Sequence, residues 1–121
     1  MPRYRMVPAW IASEAERDAA AQAMADATRD LRLPWTTVKW LDSANSDIGR
    51  VFDRPQAIRG FTHAKLAVYV LVGQGPRATR ETVLHEMRHR RQYKDEGGLT
   101  RGPLHSRLRE KDANDYARSR L

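Results

Sequence analysis

His85-Glu86-Met87-Arg88-His89 lies in a run from residue 77 to 96 that contains neither Pro nor Gly, so the segment reads as one long helix. Four residues apart, the two imidazoles stand one turn from each other and about 40° apart around the helix axis, close enough to share one Zn²⁺. A Glu next to the first His can reach a water beside such an ion and take its proton. Upstream, Gly73-Gln74-Gly75-Pro76 ends an apolar run. Thr79 is then a candidate cap, with Glu81 in the first turn. On a helical wheel Val83, Leu84 and Met87 share one side, while His85 and His89 fall on nearly the opposite arc. A lone His is usually a satisfied core residue. Two of them off the apolar stripe, with a Glu between, favour a metal.

Catalytic zinc usually takes three protein ligands. There is no Cys in the chain, so the third must come from His105, Asp95, Glu96, Glu110, Asp112 or Asp115. If the segment around Leu108 to Ala117 is helical, Glu110 shares a face with Ala113, Asn114, Ala117 and Leu121. Lys111, Asp112, Asp115 and Arg118 then fall on the other side. A Glu on a small, apolar face is expected to be buried, and a buried carboxylate needs a cation or donors. Glu110 is therefore the leading third ligand, with His105 its rival and Asp95 and Glu96 behind.

His-Glu-x-x-His, a short glycine loop, and then Glu110-Lys111-Asp112-Ala113-Asn114-Asp115-Tyr116-Ala117 together resemble the gluzincin clan of zinc metallopeptidases. The likeness is to its smallest members, the minigluzincins, and to the peptidase domain of the ImmA/IrrE family, whose second motif runs Glu-x-Glu-Ala-Asn-x-Phe-Ala. It covers about residues 66–121. It implies His85, His89 and Glu110 as zinc ligands and Glu86 as general base. It also implies that Asn114 holds the second nitrogen of a ligand histidine. Asp112 stands where the family commonly has Glu, and no helix-turn-helix domain accompanies the motifs. The resemblance implies a minimal zincin-like fold that hydrolyses peptide bonds.

The rest of the chain supplies a scaffold of matching size. Its 121 residues make a single α+β domain, 1–121, small enough that a bound metal would help hold it. Ser13-Glu14-Ala15-Glu16 has the capping-box pattern and opens an Ala-rich helix to about Leu31, with Ala19, Ala23, Met24, Ala27 and Leu31 as its stripe. Residues 35–41 alternate as a strand, and a short strand is plausible within 48–52. Residues 65–72 are apolar on both faces and read as a central strand, paired with 58–63 through a tight connection at Ala64-Lys65. The expected architecture is an N-terminal helix, a small mixed sheet of about three strands, the metal helix and a second ligand helix. Trp10, Trp35 and Trp40 are expected to pack in the core or at its edge.

Composition bounds the partners. The net charge of +7, with 22 Lys and Arg against 15 Asp and Glu, suits an acidic peptide or protein substrate. No motif supports the nucleic-acid alternative. The absence of Cys and of any long apolar run predicts a cytoplasmic chain without disulfide, leader or membrane span. For the oxyanion of amide hydrolysis the donors on offer are His105, Tyr93, Tyr116 and the arginines, with His105 preferred as part of the loop before the ligand helix. Two alternatives stand beside the peptidase. One is a non-catalytic basic protein that holds zinc or associates with nucleic acid. The other is a latent zincin with residues 1–12 lying over the cleft.

Overall fold

A computed structural model describes residues 6–42, 60–63, 67–95 and 103–121, with side chains left out at Phe61, His63 and 103–106. Strand β1 is Met6–Val7, and a single 3-10 turn, Ala9–Ile11, leads into helix α1, Glu14–Leu31. Strands β2 (Thr37–Leu41), β3 (Gly60–His63) and β4 (Ala67–Leu71) follow, then helices α2 (Pro76–Asp95) and α3 (Pro103–Ser119). The class is α+β.

The sheet runs β1-β2-β4-β3. β2 and β4 are parallel, Thr37 opposite Ala67 and Leu41 opposite Leu71; β3 lies antiparallel to β4, and the two-residue β1 antiparallel to β2. β4 is flanked on both sides and buried on both faces, as its unbroken apolar run requires. Val68 and Val70 join the main core with Met24, Val83, Leu84 and Met87, whereas Ala67 and Tyr69 pack with Leu41 on the other face. The segment 48–52 and the connection at Ala64-Lys65 lie outside the described residues.

The capping box at α1 forms as written: Ser13 Oγ accepts from the Glu16 N–H, and Glu16 Oε1 accepts from the Ser13 N–H. The buried stripe is Ala20, Ala23, Met24, Ala27 and Leu31, so Ala20 takes the place expected for Ala19. Small side chains along this stripe let α1 lie close against α2. The helix ends at Arg32, which takes the left-handed conformation at φ 53°.

Two expectations change. α2 begins at Pro76 rather than after Thr79, since Pro fits the first turn of a helix; Thr79 is buried within that turn, its N–H donating to the Gly75 carbonyl. Trp40 is in the core, but Trp10 and Trp35 are 72% and 62% exposed. Thr36, Val38 and Trp40 take the helix-facing positions of the β2 segment, which leaves Trp35 out of register with them. Met6–Val7 pairs at the sheet edge away from β3 and Ala12 is buried in the core, so residues 6–12 are part of the fold. No helix among the described residues is long and apolar enough to cross a membrane.

Candidate metal centre

α2 is fixed before it reaches its histidines. Glu16 does this from α1: its Oε2 accepts from the N–H groups of Gly73 and Gly75 and from the Thr79 hydroxyl, at 2.9, 3.1 and 3.5 Å. The two glycines have φ of 84° and 91°, the left-handed region that lets both amides turn toward one carboxylate. A single side chain thus closes the N-terminus of its own helix and that of α2. Burial works to raise the Glu16 pKa, but the hydrogen bonds from Ser13, Gly75 and Gly73 outweigh it and hold the group below its ordinary value.

From that anchor, Val83, Leu84 and Met87 face the core, while His85 and His89 turn toward α3. The two Nε2 atoms lie 3.0 Å apart with the rings nearly perpendicular. Glu110 of α3 meets both, Oε1 at 2.9 Å from His85 Nε2 and Oε2 at 3.0 Å from His89 Nε2. One ligand atom from each of the three lies within 4.8 Å of the others, so the group could hold a metal ion. Glu86 is 7% exposed, with Oε1 at 3.9 Å from His85 Nε2. Of the candidates the sequence offered, the fold brings together His85, His89 and Glu110, with Glu86 beside them.

The electrostatics call for positive charge. Hydrogen bonds from His85 and then His89 hold the Glu110 carboxyl well below the usual carboxylate range, against the pull of burial. Burial pulls the His89 pKa down, but the hydrogen bond to Glu110, the charge of Glu86 and the contact with Gln92 together raise it. Two imidazole nitrogens and a carboxylate face one point, and their lone pairs need protons or a cation there. The donor set fits zinc. Tetrahedral coordination with bonds of about 2.0–2.1 Å separates ligand atoms by about 3.3 Å, a few tenths of an ångström more than the 3.0 Å between the two histidine Nε2 atoms.

α3 is held in place along its length. Arg88 of α2 donates through Nε and Nη2 to the two Asp112 oxygens at 2.7 and 3.3 Å, and its guanidinium lies 5.9 Å from the centre of the Tyr116 ring. At the far end, Asp30 of α1 accepts from the Tyr116 hydroxyl and from Arg120 Nε. Arg80 bridges Asp26 and the Arg120 carbonyl. Ala113 and Ala117 are buried, giving Glu110 the packed helix its face implied.

The other candidates stand elsewhere. Asp95 pairs with Arg91, and Asp115 with Lys111. Asp112, expected on the solvent side, instead faces α2, because Arg88 and Gln92 reach it there. His105 belongs to the first turn of α3 rather than to a loop, and its side chain, like Glu96, lies outside the described residues. Tyr93 stacks on the His89 ring at 6.4 Å between centroids. Asn114 is half-buried and, among the described residues, makes no hydrogen bond to either ring. The Nδ1 of His89 is held by Gln92. The place of Gln92 three positions after His89, on the same helical face, is the sequence signal for this contact. No family model, curated protein or solved structure matches the chain.

Proposed function

We propose that the protein is a zinc-dependent metallopeptidase of gluzincin type, its metal held by His85, His89 and Glu110. The observation that carries the reading is the convergence of those three side chains from two helices with the buried Glu86 alongside. Bound there, zinc would supply Lewis acidity, lowering the pKa of a water and polarising a carbonyl. Glu86 takes the proton of the attacking water and delivers it to the departing amine. β3, the edge strand of the sheet among the described residues and packed against α2, suits an extended peptide held by main-chain hydrogen bonds. The chain's +7 charge favours acidic peptides.

Glu86→Gln tests the reading, because it keeps shape and polarity but cannot take a proton. The zinc-loaded variant should retain its metal and its melting temperature while peptide cleavage falls by at least about 100-fold. Cleavage at the wild-type rate would remove Glu86 as base. A zinc-loaded wild type that cleaves nothing in a broad peptide library would favour a non-catalytic zinc protein.

A further inference from the structure

Gln92 stands between the metal centre and α3, and its amide has one permitted orientation. Its Nε2 donates to Asp112 Oδ2 at 2.7 Å and to the Arg109 carbonyl at 2.9 Å, so both amide hydrogens are used by acceptors on α3. Turned the other way, its oxygen would face a carboxylate and a carbonyl. Oε1 must therefore face His89 Nδ1, 2.8 Å away, and that nitrogen must carry the hydrogen. The His89 nitrogen toward Glu110 and His85 is then the one free to bind a metal. Arg88 fixes Asp112 in turn. A chain of hydrogen bonds thus runs from the α2–α3 ion pair to a metal ligand.

We infer that Gln92 is a positioning residue of the metal centre, committing His89 to the Nδ1–H form only when α3 is docked. α3 then acts on the metal twice, directly through Glu110 and indirectly through Gln92. The inference rests on the metal-centre reading and adds that an amide on the metal helix itself, rather than Asn114, orients the second histidine. It also explains why a nearly buried Gln occupies this position, where an apolar residue would leave the His89 Nδ1–H without its acceptor.

Zinc affinity by chelator competition and the ring ¹H–¹⁵N resonances of the zinc-loaded full chain test it. Gln92→Leu should weaken zinc binding by about 10- to 100-fold. It should also lose the protected Nδ1–H resonance of His89 while the His85 ring signals persist. The double variant Gln92→Glu with Asp112→Asn restores an acceptor for Nδ1–H and a donor behind it: the second carboxylate oxygen takes an amide hydrogen from the new side chain at position 112 and turns from the Arg109 carbonyl, which keeps its helical N–H donor. It should recover at least about tenfold in affinity over Gln92→Leu, together with the His89 resonance, whichever of the two melts higher. If Gln92 merely packed the helices together, affinity would instead follow melting temperature. Gln92→Leu within about twofold of wild type, or a double variant that binds no better than Gln92→Leu, overturns the inference. Wild type that binds no zinc overturns the metal-centre reading beneath it, an outcome distinct from either.

Discussion

At the scale of single residues, the candidate centre is a cluster of acceptors whose lone pairs need protons or a cation. Glu110 is the least replaceable of the three candidate ligands, since it alone comes from α3 and meets both histidines. Glu110→Ala leaves His85 and His89 with each other, and zinc affinity should drop by at least about 100-fold in chelator competition. Glu110→Gln, which keeps one oxygen but no charge, should fall between the two. Retention of wild-type affinity in Glu110→Ala would show that the third ligand lies elsewhere. These residues were legible in the sequence because helical period and metal chemistry select the same few positions. Glu110 was separated from Asp112 and Asp115 by its Ala neighbours, and those Ala are buried. Asp112 was misread because the wheel shows one helix at a time, whereas Arg88 reaches it from another.

At the scale of elements, two contacts set where α2 lies. One is the Glu16 carboxylate. Its pKa is lower in the folded chain than in the unfolded one, so its contribution is fully present above about pH 4.3, the ordinary Glu value. That contribution is lost as pH falls through the lower, folded value. Glu16→Gln removes it and turns an N–H donor toward the donors of Gly73 and Gly75; unfolding at pH 7 should become easier by about 1–3 kcal/mol. The acid side of the stability curve should also flatten, as measured by urea melts from pH 3 to 7. A curve parallel to wild type would show that Glu16 titrates normally. The other contact is Gly60 in β3, where a Cβ would meet the Tyr69 carbonyl oxygen and lie 2.6 Å from Thr82 Cγ2 on α2. Gly60→Ala should therefore destabilise by about 1–3 kcal/mol, and Thr82→Ala should relieve part of that loss in the double mutant. The capping box and the central strand were readable because both are local patterns. The link from Glu16 to the loop before α2 spans nearly 60 residues, and nothing in the sequence around Glu16 distinguishes a carboxylate that caps one helix from one that caps two.

At the scale of the whole molecule, three helices and a small sheet among the described residues enclose the main core, and the candidate metal centre lies where α2 and α3 meet. A ligand that binds only the folded chain stabilises it by mass action, about 2.7 kcal/mol at 100 times Kd. Chelation should thus lower the melting temperature by on the order of 10 °C for a domain of this size. It should do so far less in Glu110→Ala. The exposed Trp10 and Trp35 show the limit of composition at this scale: apolar content predicts that a core exists, but strand register decides which large side chains enter it. The most direct measurement is the zinc content of the purified chain and of its His85→Ala, His89→Ala and Glu110→Ala variants, each checked for folding by circular dichroism. About one zinc per wild-type chain, with most of it lost in each folded variant, is the expected result; undiminished zinc in all three, or none in wild type under zinc-replete conditions, would contradict the assignment of the centre.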